Sequence, residues 1–191
     1  KGKVLIGNGG TGAVKMYTPG GVFIRDIVSR GSGGLMQPNA VVVRGDEFQI
    51  NPGLSDAWYE PATAGQGLLI TVFPVREEMF VAWFTYDVER PPDDVTAILG
   101  EPGHRWLTAQ GPYTGNTANL TLFVTRGGVF DAPGPAAETD PSGDGYLTLE
   151  FADCYEGLVT YEITSAGLAG EIPIQRIVGD NVALCTALDT R

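Results

Sequence analysis

Through the second half of the chain, apolar and polar residues alternate with a period of two. Leu120, Leu122 and Val124 share one face while Asn119, Thr121 and Thr125 share the other. Leu147, Leu149 and Phe151 oppose Tyr146, Thr148 and Glu150, and Val159, Tyr161 and Ile163 oppose Thr160 and Glu162. A period of two places successive side chains on opposite sides of a strand, so this pattern predicts strands with one face buried and one in water. Residues 58–87 carry the densest run of β-branched and aromatic residues and predict two further strands, 67–73 and 79–86. Val75, Met79, Phe80, Trp83 and Tyr86 also recur at near-helical spacing, but residues 80–86 are apolar nearly all round and rich in strand formers, which favours a strand. Residues 170–177 and 182–184 complete the predicted set, with Pro173 pointing to an edge position. The loop 87–104, rich in Pro and acids, leaves room for a short helical turn at 94–99.

Residues 1–50 have a different texture. Short apolar runs at 4–6, 13–17, 22–28 and 40–43, separated by Gly-rich or Pro-containing turns, predict four short antiparallel strands. Gly7, Gly9 and Gly12 match G-x-G-x-x-G, but Pro19, Gly20 and Gly21 interrupt the chain before the long helix that a dinucleotide site needs, so a turn is expected. Asn51, Pro52 and Gly53 mark a boundary. The expectation is an all-β chain: a propeller-blade-like four-stranded meander at 1–50, then an antiparallel meander at 51–191, closed as a barrel or folded as a sandwich.

Composition narrows the function. With 12 Lys+Arg against 23 Asp+Glu the formal net charge is −11, which opposes nucleic acid and anionic membrane surfaces as partners. No apolar stretch approaches the ~20 residues of a membrane-spanning helix, so no membrane insertion is expected. The chain opens at Lys1 without Met or a basic-then-apolar leader, as a mature product or an excised fragment would.

Two resemblances add to this reading. The segment GNGGTGAVKMYTPGGVFIRDIVSRGSGGLMQPNAVVV resembles one repeat of the NHL-type β-propellers, with a strand ending in Tyr17, the Thr18-Pro19-Gly20-Gly21 turn, a second strand and the approach Gln37-Pro38-Asn39. A single blade buries its faces only against neighbours, which implies further blades or pairing with another surface. Residues 51–191, through NPGLSDAWYEPATAGQGLLITVFP, VAWFTYD, GHRWLTAQGPYTG, LTLFVTRGGVFD, GYLTLEFADC, GEIPIQRI and ALC, resemble an uncharacterised β domain found near the C-termini of large secreted bacterial proteins. That resemblance implies export, to a secreted, extracellular or cell-surface location, and no particular activity. In an exported context Cys154 and Cys185, the only cysteines, are expected as a disulfide, with two buried thiols as the alternative.

The candidate chemistry is sparse. His104, the only histidine, lies in a turn context, and no G-x-S-x-G accompanies it. Glu60 and Asp87, next to aromatic residues, are the candidates for a carboxylate pair of the glycosidase kind. Asp140, Ser142 and Asp144 begin a calcium-loop pattern whose twelfth position holds Phe151 rather than an acid. Aromatic residues give the stronger lead: Trp58, Tyr59, Trp83, Tyr86, Trp106 and Tyr113, with Arg105 and Gln110, could line a cleft in which rings stack on a ligand, against the alternative that strand tryptophans fill the core. The expected function is therefore a non-catalytic extracellular module for adhesion, glycan or other ligand binding, or assembly. It needs no cofactor, calcium being the one considered. The alternatives are a structural subunit that pairs with copies of itself through the strands of 1–50, and a glycoside hydrolase-like enzyme.

Overall fold

The structure, a computed structural model, describes residues 4–8, 10–17, 21–32, 48–100 and 102–189. The chain divides into two compact units, Lys1–Gly45 and Asp46–Arg191.

In the first unit β1 (Val4–Asn8), β2 (Ala13–Tyr17) and β3 (Phe23–Val28) form an antiparallel sheet in that order. Asn8 organises the first turn: its side-chain oxygen accepts from the Thr11 amide at 3.1 Å and its carbonyl from the Gly12 amide at 2.8 Å. The glycine run thus delivers the chain into strand β2 and not into a nucleotide-binding helix. Lys15 and Asp26, paired across β2 and β3, form an ion pair at 2.9 Å. The fourth strand expected at 40–43 lies outside the described residues.

The second unit is a closed barrel, not a sandwich. Its staves are β4 (Asp56–Tyr59), β5 (Gly67–Phe73), β6 (Glu78–Tyr86), β7 (His104–Thr114), β8 (Thr117–Phe123), β11 (Gly145–Phe151), β12 (Glu156–Ile163) and β13 (Leu168–Arg176). Each neighbours the next in sequence, all antiparallel, and β13 returns to β4. Between β8 and β11 a small ribbon, β9 (Thr125–Gly127) with β10 (Ala137–Thr139), leaves the wall. Residues 79–86 are a strand: along β6, Met79, Val81 and Trp83 turn inward while Phe84 and Tyr86 remain exposed. Phe48 and Ile50 pack in the barrel core, upstream of the boundary at Asn51 that the sequence marks.

Two local expectations are corrected. Residues 94–99 form no helix; a turn closed by the Val95 amide on the Pro92 carbonyl at 3.0 Å replaces it, since so short a segment after two prolines cannot repay helix nucleation. Residues 182–184 are not a strand but the start of α1 (Val182–Leu188). At the sealed end the last residues of β13, 175–177, are already paired with β4, which leaves no edge there for a further strand, and Ala and Leu favour the helix.

Inward positions are filled by apolar side chains such as Val81, Leu122, Leu149 and Val159, each no more than 1% exposed. This apolar interior is the reverse of the polar lumen of membrane barrels. Among the described residues, no helix is long and apolar enough to cross a membrane.

One end of the barrel is sealed. The 3-10 turn Pro52–Leu54 and α1 cover it, held by the Cys154–Cys185 disulfide with Cα atoms 5.8 Å apart. The turn and the helix approach so closely that a Cβ on Gly53 would lie 2.3 Å from the Cys185 amide nitrogen. Trp58 is fully buried, donates from its indole N–H to the Leu54 carbonyl at 3.1 Å and meets Phe151 edge-on at 5.3 Å. Over its ring, 4.5 Å from the centroid, lies the guanidinium of Arg176. Arg176 donates to Asp56 at 2.6 Å, to the Gly53 carbonyl at 2.7 Å and to the Cys154 carbonyl. Burial pulls its pKa below the usual arginine value, and the hydrogen bond and charge of Asp56 oppose that shift. It therefore stays a cation among acceptors, joining the chain's first barrel stave to its last.

Candidate functional site

The opposite end is open. Four connections meet there: residues 60–66, 87–103, 124–144 and 164–167. Between them lies a cavity of ≈ 940 Å³ that runs down to Trp83 and Tyr161. These two rings pack edge-on at 5.3 Å and form an aromatic floor above the core. Tyr161 reaches it because the alternation of β12 puts Val159, Tyr161 and Ile163 on the inward face, and Tyr161 and Ile163 come last, at the open end.

The rim is aromatic and polar. Trp106 is 55% exposed, and Tyr86, 48% exposed, tilts against His104 at 5.5 Å between ring centroids. Tyr86 donates its phenol proton to the Gly65 carbonyl at 3.0 Å, which fixes the ring against the 60–66 connection. Thr85 donates to the Gln66 side-chain oxygen at 2.7 Å. Asp87 accepts from Arg105 at 2.6 Å, and its amide donates to the Gly103 carbonyl at 2.8 Å, tying both ends of the long 87–103 connection together. Opposite, Arg126 donates to the Ser165 hydroxyl at 3.3 Å, and Ser165 donates in turn to both carboxylate oxygens of Asp144.

No family model, curated protein or solved structure matches the chain. Its chemistry follows from the geometry alone.

Of the residues the sequence singles out for a ligand, Trp83, Tyr86, Arg105 and Trp106 line the cavity. Trp58 belongs to the sealed end, and Tyr59 and Tyr113 are outside the cavity lining, Tyr113 packing against the core. Gln110 sits beyond the cavity, donating to Glu78 at 3.2 Å. There Arg76 and then Gln110 hold the Glu78 carboxyl below its ordinary pKa by hydrogen bonding. Glu60 and Asp87 both border the cavity, and each accepts hydrogen bonds: Glu60 caps the turn Pro61–Thr63 through the Ala62 amide at 2.8 Å, and Asp87 holds Arg105.

The calcium-loop residues are occupied otherwise. Asp140 accepts from the Ser142 amide at 2.9 Å and the Ser142 hydroxyl at 2.5 Å, which lowers its pKa, while Asp144 is bound by Ser165. Among the described residues, no three His, Cys, Asp or Glu side chains gather as a metal-binding set. Sequence reasoning misses Tyr161, Gln66, Thr85 and Glu171 in the lining. For Tyr161 a signal exists, since it shares the apolar face of its strand; for the others, only the way the staves converge places them.

Proposed function

We propose that the chain is a non-catalytic binding module that takes a glycan, or another ring-bearing extracellular ligand, at the open end of its barrel. The observation that carries the reading is the ≈ 940 Å³ cavity with an aromatic floor and a rim of aromatic and hydrogen-bonding groups. Its size falls in the range of small-molecule sites, about 300–1,000 Å³. Flat rings supply stacking surface, and Gln66, Thr85 and Arg105 supply polar groups that orient a ligand. The disulfide supports an oxidising compartment, hence a secreted or surface location. Binding is favoured over hydrolysis because Glu60 and Asp87 already serve as a turn cap and an ion-pair partner.

The test is titration of a panel of neutral oligosaccharides, followed by tryptophan fluorescence and calorimetry. Trp106→Ala is expected to weaken binding about tenfold or more while the far-ultraviolet circular dichroism is unchanged. A panel with no binder, or affinity indifferent to both Trp106→Ala and Tyr86→Ala, would remove the reading. Turnover of a nitrophenyl glycoside that disappears in Asp87→Asn would replace it with the hydrolase.

A second reading, assembly, has one observation in its favour. Among the described residues β3 pairs with β2 alone, and its Phe23, Ile24 and Ile27 are exposed. Light scattering over a concentration series distinguishes a self-associating subunit from a monomeric binder.

A further inference from the structure

The barrel wall has a gap. Every other pair of neighbouring staves is joined over three or more residue pairs, whereas β13 meets β4 only at Gln175↔Tyr59 and Arg176↔Trp58. Above that point β4 turns away into the Pro61–Thr63 turn, while β13 continues alongside β12 up to Leu168.

The hydrogen-bond phase shows which groups face the gap. The Arg176 amide donates to the Tyr155 carbonyl on the β12 side, and the Ile177 amide donates to the Ala57 carbonyl on the β4 side. In an antiparallel ladder this alternates residue by residue. Even-numbered residues of β13 therefore bond to β12, and Ala169, Glu171 and Pro173 direct their backbone groups into the gap. Among the described residues, no strand lies beside them on that side. Pro173 fits there because the N–H it lacks would have pointed at no partner. What faces the gap is two amide donors, of Ala169 and Glu171, and three carbonyl acceptors, of Ala169, Glu171 and Pro173.

We infer that this gap is a slot for an extended peptide of basic, alternating sequence, which adds to β13 as an extra stave. Three features define the occupant. The free backbone groups require an extended chain. The slot borders the mouth cavity on its inner side, where Leu168 and Ile172 join the lining, so inward side chains of the peptide should be apolar. On the outside a shallower hollow of ≈ 270 Å³ adjoins the same seam, and Glu60 and Pro173 border both cavities. Around the seam stand Glu60, Glu156, Glu162 and Glu171, with Glu171 opposite Thr160 and Glu162 opposite Ala169 across the hairpin. Among the described residues, none of these four takes part in an ion pair. Outward side chains of the peptide should therefore be Lys or Arg. The slot borders the ring-binding cavity and shares Glu60 and Glu171 with its lining, but its recognition groups are the backbone of β13 and these glutamates rather than Trp106 and Tyr86, so the two proposals fail separately.

The probe is a short fluorescein-labelled peptide alternating lysine and valine, read by anisotropy, with amide hydrogen exchange on the oxidised full chain. Binding is expected, with new protection at the amides of Ala169 and Glu171. Methylating the peptide's alternate backbone nitrogens should weaken binding about tenfold or more, and a glutamate-for-lysine peptide should not bind. Ala169→Pro removes a donor that faces the slot and no bond to β12, so the barrel should fold and bind the peptide more weakly; Glu171→Lys should also weaken it. Absence of binding overturns the inference. So does binding that ignores both backbone methylation and Ala169→Pro, which would be charge attraction without strand addition. Protection of the same two amides on raising the protein concentration alone would assign the slot to a second copy of the chain and overturn it too. If Ala169→Pro fails to fold, the exchange pattern of the unmodified protein still decides.

Discussion

Replacing Arg176 with Met keeps an unbranched side chain of similar reach over Trp58 but removes the charge and every donor. Asp56, whose side chain is 10% exposed, then loses its cationic partner and keeps the Ala57 amide as a donor, while the carbonyls of Gly53 and Cys154 lose the guanidinium. Summing three hydrogen bonds to a charged group at about 1.5–3 kcal/mol each would overstate the loss, because water and relaxation recover part of it. Breaking one side of a buried ion pair costs about 3–5 kcal/mol, and that is the expected loss. For a chain of this size it lowers the melting temperature by roughly 10 °C. Urea unfolding of the oxidised protein measures it. The companion variant Asp56→Asn and the double variant complete a cycle in which a coupling of about 2 kcal/mol is expected, since the two groups share one bond and one site. A loss below about 1 kcal/mol in Arg176→Met, or strict additivity in the cycle, would show that the sealed end does not depend on this cation.

Other outcomes follow from the same structure. Removing the disulfide, whose cysteines are 31 positions apart, by Cys154→Ala with Cys185→Ala should cost about 3–4 kcal/mol in urea unfolding, with mild reduction of the unmodified protein giving a comparable loss. Gly145 has φ +120°, and a Cβ there would lie 2.0 Å from the Glu162 carbonyl oxygen, so Gly145→Ala should destabilise the barrel by about 3 kcal/mol or more, checked by thermal unfolding. Asp140 should titrate below the ordinary aspartate value by NMR because Ser142 donates to its ionised form. A carboxyl held low in the folded state adds stability that is present above its unfolded pKa and lost as pH falls through its folded pKa. Ser142→Ala removes the hydroxyl but keeps the residue-142 amide, so it should raise the Asp140 titration part of the way toward the ordinary range and reduce that part of the acid-unfolding profile.

The regular parts of the barrel were legible because their determinants are local. The alternations around Leu122, Leu149 and Tyr161 are wall staves in the structure, and the aromatic run at 79–86 is a strand despite its near-helical spacing. What could not be read locally is what distant segments decide. Trp58 stands beside Tyr59 in sequence, yet Arg176 and Phe151 draw it into the sealed end. Arg176 itself has no sequence signature: a basic residue ending a strand is ordinarily on the surface. Residues 182–184 look like a strand until the barrel has closed without them. In the cavity Trp83, Tyr86, Arg105 and Trp106 come together because β6 and β7 are paired neighbours, with Phe84 opposite Trp106 and Thr85 opposite Arg105. Gln110 lies on the same strand but toward the other end.

The short junction between β13 and β4 also bears on the order of folding. Most of the wall assembles from hairpins between neighbours in sequence, whose loops close cheaply. The seam waits for residues 120 positions apart, Asp56 and Arg176. A nascent chain that has not yet released Arg176 can build an open, curled sheet but not a barrel. Folding should then be limited by this one long-range event, as expected when a distant contact must form before it is rewarded. Chains truncated just before residue 176 would stay open, with apolar inner faces uncovered.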